Sequence, residues 1–119
     1  MKLTILGAGY VGLTTGAAFA DFGHTVWVVR RNPTKVALMK EGRAPFFEPG
    51  LDEIVARNVK AGRLIPTTSY EESLPQSEVV FICVDTPLSS DGSADMSQVE
   101  AAVTQMAPLL PDGTIFVIK

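Results

Sequence analysis

Residues 3–12 read Leu3-Thr4-Ile5-Leu6-Gly7-Ala8-Gly9-Tyr10-Val11-Gly12, an apolar run that enters a Gly-x-Gly-x-x-Gly motif and leaves it as a helix-like stretch. The order carries the information. A strand precedes the glycines, a helix pattern follows, and a second apolar strand at Thr25–Val29 closes a βαβ-sized unit. In this context Gly7 permits the tight turn out of the strand, Gly9 lets backbone approach a phosphate, and Gly12 lets helix and strand pack closely. The first amides of a helix starting near Tyr10 lack intrahelical partners, and the positive end of the helix dipole favours an anion there. The reading is a dinucleotide pyrophosphate held by backbone around Gly7, Gly9, Tyr10, Val11 and Gly12.

Working outward, the chain of 119 residues has the size of one domain, with ten basic and thirteen acidic side chains and a net charge of -3. No basic block runs along it, which argues against nucleic acid as a partner. No stretch reaches the roughly 18 apolar residues of a membrane span. Met1–Leu6 has no cleavage site of the signal-peptide kind, so a cytoplasmic protein is expected. The single cysteine, Cys83, sits in the apolar run Val79–Val84 and reads as a core residue, since the one histidine, His24, falls at the opposite end of the strands.

Punctuation along the chain sets the elements. Helix one is predicted over 10–22, stopped by Gly23, and strand two over 25–30. Asn32 as N-cap and Pro33 at the first helical position start helix two, which runs to about Glu41 before Gly42. Leu51, Ile54, Val55 and Val59 recur at helical spacing and place a helix over 51–60. Strand three is predicted over 64–67 and a short helix capped by Ser69 through Leu74. Strand four spans 78–84, a helix capped by Asp95 spans 96–110, and strand five spans 114–119. Alternating strands and helices with near-continuous apolar strands predict an α/β fold, a Rossmann-type doubly wound parallel sheet in the order 3-2-1-4-5. Its ligand crevice lies outside the carboxyl ends of the strands, where the loops starting at Gly7, Arg30 and Asp85 meet.

Three further segments narrow the reading: Pro45-Phe46-Phe47-Glu48-Pro49-Gly50-Leu51, Asp85-Thr86-Pro87, and Asp91-Gly92-Ser93-Ala94-Asp95-Met96. With Gly7–Leu13 they resemble the amino-terminal domain of the UDP-glucose/GDP-mannose dehydrogenase family, over the whole chain. The resemblance implies NAD as cofactor and two-step oxidation of the C6 hydroxyl of a nucleotide-linked sugar. It also implies that the catalytic cysteine, lysine and asparagine, a central helix and a sugar-nucleotide domain lie downstream of Lys119, so that no turnover by these residues alone is expected. The expected partners are a nicotinamide dinucleotide and, with the missing domain, a nucleotide sugar. Strand five becomes an uncovered edge, from which a homo-oligomer is expected. The other readings are a non-catalytic dinucleotide-sensing or scaffold module and a different dehydrogenase with a similar first domain; the first and third segments argue against the latter.

Carried over by residue, the resemblance implies dinucleotide contacts from the backbone at Tyr10 and Val11, from Lys35 and from Thr86. The residues themselves leave other roles open: a packing ring for Tyr10, a solvated lysine at 35, and a turn cap at Thr86 before Pro87. Glu48 is expected to do no more than accept from nearby backbone amides. Two positions depart from the family. Arg30 stands where an acidic residue would meet the adenosine ribose. A carboxylate about 4 Å from a 2′-phosphate is repelled by on the order of 4 kcal/mol at an effective dielectric of about 20, whereas a guanidinium attracts it. NADP therefore stands beside NAD as an alternative, against an Arg30 that stacks on adenine or turns to solvent. Asp85 replaces a glycine and is expected to make a local turn with its own backbone.

Overall fold

The computed structural model describes residues 1–119, and its five strands form one parallel sheet in the order β3-β2-β1-β4-β5. They are β1 (Lys2–Leu6), β2 (Thr25–Val29), β3 (Leu64–Thr67), β4 (Val79–Ile82) and β5 (Ile115–Ile118). Five helices connect them: α1 (Tyr10–Asp21), α2 (Pro33–Lys40), α3 (Leu51–Lys60), α4 (Tyr70–Ser73) and α5 (Ser97–Met106). The predicted class and strand order are those observed.

The sheet divides two apolar layers. On one side Leu3, Ile5, Val26, Val28 and Leu64 pack with Leu13, Ala17 and Ala20 of α1, Met39 of α2 and Val55 of α3. On the other, Leu6, Val29, Val80 and Ile82 pack with Leu74 and with Val99, Ala102 and Met106 of α5. Alternate residues of each central strand thus face opposite layers, which is why those strands are mostly apolar; the buried Thr4 of β1 is satisfied by the Ser77 hydroxyl.

Several boundaries follow the capping chemistry. Asn32 accepts from the amides of Thr34 and Lys35, with Pro33 opening α2. The Ser69 hydroxyl accepts from the Glu72 amide. Gly23, Gly42 and Gly62 lie beyond the ends of α1, α2 and α3 at positive φ. Several elements are shorter than predicted, among them β5, which spans Ile115–Ile118 and not 114–119. Arg30 stands beyond the end of β2, although its amide still bonds the Thr67 carbonyl. In β4, Cys83 and Val84 continue the apolar run, but the ladder with β1 ends at Leu6 opposite Ile82. Asp95 accepts from the Ser97 amide in a turn just ahead of α5, whose N-cap is Met96, and Ala107–Leu109 tighten into a 3-10 turn around Pro108.

The edge strand β5 differs from the others. Ile115, Phe116, Val117 and Ile118 are 62, 52, 37 and 56% exposed, so neither of its faces is covered.

At the outer end of α1, Asp21 takes a bidentate pair from the Arg57 guanidinium at 2.8 Å for each bond, plus a hydrogen bond from the Asn58 amide. These donors, Arg57 first, hold the Asp21 carboxyl well below the usual carboxylate range. A depressed folded-state pKa contributes stability above the unfolded value of about 3.9, and the contribution disappears as pH falls through the folded value. In acid titrations followed by circular dichroism, Asp21→Asn is expected to be less stable than the parent near neutrality, with the gap closing below about pH 4; a gap independent of pH would rule out this linkage.

A second prediction concerns Gly12. A Cβ there would overlap the Gly7 carbonyl oxygen, a backbone atom that cannot rotate away. Gly12→Ala is expected to cost about 1–3 kcal/mol, read as a lowered urea midpoint, and an unchanged midpoint would show that α1 can shift off β1 freely.

Candidate functional site

The carboxyl ends of β1 to β4 and one side of α5 enclose a cleft of about 520 Å³. That volume suits a small-molecule cofactor. Gly7, Ala8 and Gly9 form its floor after β1. Val29 to Asn32 come from the end of β2, Thr68, Tyr70 and Glu71 from the segment after β3, and Cys83 to Asp85 from the end of β4. Gln98 and Gln105 of α5 close the remaining side.

The first turn is shaped by backbone contact. Gly7 has φ +97, and a Cβ on it would stand 2.7 Å from the Cys83 carbonyl oxygen. Gly9 is different: a Cβ there would have only the Asp85 carboxylate, at 4.0 Å, for a neighbour. The open space above Gly9 is therefore on the cleft side rather than filled by the protein. The Gly9 carbonyl accepts from the Leu13 amide and starts α1, but Gly9 has no side chain to cap the helix. The amides of Ala8, Gly9, Tyr10 and Val11 donate to no carbonyl or side chain of this chain. With the Gly12 amide, which also lacks a partner, these N–H groups at the positive end of a twelve-residue helix are suited to an anion.

At the end of β2 the half-buried Arg30 side chain turns back over this floor, and its Nη1 donates to the Ala8 carbonyl at 2.6 Å. The guanidinium thus lies in the cleft instead of in solvent. Arg31 also lines the cleft and sits close enough to Tyr70 to lower its phenol pKa against a larger upward push from burial. Neither arginine has a carboxylate within 4.0 Å, since the ion pair of the chain is Asp21–Arg57.

The Asp85 carboxylate makes no hydrogen bond within its own loop, contrary to the expected local turn. The following segment folds on other contacts: the Asp95 amide donates to the Pro87 carbonyl, and Leu88 pairs with Ala94 around an Asp91–Ser93 turn. Cys83 is buried at 8% exposure, as expected for a core residue, and also borders the cleft. Burial pushes its thiol pKa up, with Lys119 acting weakly the other way, so the unreactive thiol form is favoured.

Tyr10 and its neighbours combine two roles. Its ring lies 5.6 Å from that of Phe46 while its amide stays free, so the packing and backbone-binding readings both apply. The Glu48 carbonyl accepts from the Leu51 amide, but its carboxylate accepts from no backbone amide; it sits against the Tyr10 phenol and raises the phenol pKa. Of the predicted residues, Gly7, Gly9 and Arg30 line the cleft, Tyr10 and Val11 supply free amides beside it, and Gly12 holds α1 on β1. Lys35 and Thr86 are not among the cleft residues. Arg31, Thr68, Tyr70, Glu71, Gln98 and Gln105 were not singled out from the sequence; the strand-end rule pointed to the loop after β2 but not to the one after β3 or to α5.

With this geometry in place, comparison with known proteins gives a consistent result. The family described as "UDP-glucose/GDP-mannose dehydrogenase family, NAD binding domain" matches residues 1–119. A UDP-glucose 6-dehydrogenase of Rhizobium meliloti is 48% identical over 100% of this chain, which covers 28% of that protein. Among solved structures, a UDP-glucose dehydrogenase from Pyrobaculum islandicum superposes with a TM-score of 0.92 at 37% identity, over 99% of this chain and 28% of the other. A ternary complex of GDP-mannose dehydrogenase from Pseudomonas aeruginosa gives 0.93 at 30% identity, again over 99% and 28%. This chain spans little more than a quarter of the length of these relatives. A five-stranded parallel sheet with free amides at its first turn, matched from end to end by one family model, places this chain in the UDP-glucose/GDP-mannose dehydrogenase family, as its NAD binding domain.

Proposed function

We propose that the cleft holds a nicotinamide adenine dinucleotide for a nucleotide-sugar 6-dehydrogenase, with the pyrophosphate on the free amides of Ala8, Gly9, Tyr10 and Val11. The observation that carries this reading is the combination of those unpartnered donors with the open space above Gly9. A dinucleotide fits that combination, because the donors need an acceptor and nothing in the protein occupies the space. NAD is the cofactor of the matched family, and NADP is the alternative that Arg30 introduces.

A bound nicotinamide would supply the hydride acceptor for the sugar carbon being oxidised. The residues of this chain bind and orient. The helix start fixes the diphosphate, the segment after β3 flanks the adenosine end, and Asp85 stands across from Gly9 at the end of β4. Lys35 and Thr86, which do not line the cleft, remain contacts that only the family resemblance suggests. The domain then spans residues 1–119, with the sugar-nucleotide site and the groups that oxidise C6 supplied by sequence outside them. The relatives' greater length supports that division. The exposed faces of β5 are where a further part of the protein or a second subunit would pack, and a cytoplasmic location fits dinucleotide-dependent sugar oxidation.

Gly9→Ala separates binding from folding, because Gly9 has an ordinary extended backbone and room for a methyl group, yet that methyl would stand where a phosphate must approach. The variant is expected to melt within a degree or two of the parent and to bind NAD at least about tenfold more weakly by calorimetry, a loss of about 1.4 kcal/mol. Unchanged affinity in the variant, or no binding by the parent, would defeat the proposed site.

A further inference from the structure

The end of β2 carries two cationic side chains where a dinucleotide fold that selects a free ribose hydroxyl carries a carboxylate. Arg30 and Arg31 both line the cleft, and neither is neutralised by a carboxylate within 4.0 Å. Arg30 is also held in place. One of its five N–H groups donates to the Ala8 carbonyl at 2.6 Å, which anchors the guanidinium beside the phosphate floor and leaves the other donors without a protein partner. Arg31 makes no hydrogen bond and lies near the Tyr70 phenol across the same mouth of the cleft.

The acidic groups of the cleft are Glu71 and Asp85. Glu71 accepts from the Ser69 hydroxyl at 3.3 Å, and Asp85 stands over Gly9 at the end of β4, so neither takes up the two guanidinium groups. An ordinary solvated arginine would extend away from the surface; here one is folded inward onto a backbone carbonyl and a second flanks it. A fork of unspent, charge-bearing donors matches a phosphate monoester better than a hydroxyl.

We propose that Arg30 and Arg31 form a 2′-phosphate subsite, so that this domain takes NADP(H) in preference to NAD(H). The inference rests on the dinucleotide reading of the cleft and adds the chemistry at the adenosine ribose. Arg30 supplies the fixed donor beside Ala8, and Arg31 closes on the phosphate from the Tyr70 side. The neutral carbonyl that Arg30 contacts is a weaker acceptor than a phosphate dianion, so the guanidinium can keep that anchor and still meet the ligand with its remaining N–H groups.

The test compares 2′,5′-ADP with 5′-ADP, and NADP with NAD, in calorimetric titrations of the 119-residue chain, its Arg30→Asp form and its Arg31→Ala form. Thermal melts confirm that each variant is folded, and Arg30→Gln replaces Arg30→Asp if the latter is not. The 2′-phosphorylated ligand of each pair is expected to bind about ten- to a hundredfold more tightly to the parent. That preference is expected to be lost in Arg30→Asp, reduced in Arg31→Ala and weakened by salt, while 5′-ADP continues to bind all three proteins. Equal or tighter binding of 5′-ADP by the parent would overturn the subsite and leave the dinucleotide site standing, as would a preference untouched by both substitutions. Failure of all four ligands to bind would overturn both.

Discussion

The first turn of α1 rests on the end of β1 with no room for a side chain between them, and the rest of the site follows from that contact. Gly12 lies against the Gly7 carbonyl, and Gly7 in turn lies against the Cys83 and Val84 backbone. At this junction α1, β1 and the chain leaving β4 therefore approach backbone to backbone. Such a junction cannot slide without a clash, so the amides ahead of Leu13 stay where the chain has no carbonyl to offer them. Leaving donors unpaired is costly in a buried setting and tolerable at a cleft floor that water or a ligand can reach. A diphosphate bound as proposed would give these donors their acceptors.

The architecture was legible because its signals are local. Glycine at positive φ ends helices, Asn32-Pro33 starts one, and apolar runs flanked by such marks become strands; none of these depends on distant contacts. The bounds of α3 and β3 came out as expected for that reason. Where boundaries shifted, a nonlocal fact intervened. Cys83 and Val84 look like strand residues because they are apolar, yet β1 ends one position earlier, and their apolarity serves the wall of the cleft instead. In the helix before β5, Pro108 lacks the amide a regular turn requires, which tightens the last residues.

The site was legible only in part. The glycine turn announces itself because one short segment contains both the strand end and the helix start. Tyr70, Gln98 and Gln105 carry no such mark: an aromatic and two amides in helical stretches acquire a role only when right-handed crossovers bring α4 and α5 to the strand ends. Glu48 shows the same limit in reverse. Its partner, the Tyr10 phenol, is thirty-eight positions away in sequence, and the pairing arises because the Phe46 ring packs beside Tyr10.

Charge completes the argument. The chain as a whole is slightly acidic, with a net charge of -3, so any attraction for an anion comes from where charges and dipoles are placed and not from their total. Across the cleft that placement is polar in the literal sense: Arg30 and Arg31 stand at the β2 end, and Asp85 stands at the β4 end over Gly9. A carboxylate near the diphosphate opposes binding of any dinucleotide, through a Coulomb term that falls off with distance and is larger in a cleft than in water. The guanidinium pair opposes that term only for ligands that carry negative charge at the ribose end. On the proposed subsite the two ends of the cleft would act together: Asp85 would weaken attraction common to both cofactors, and the two arginines would restore it for the phosphorylated one.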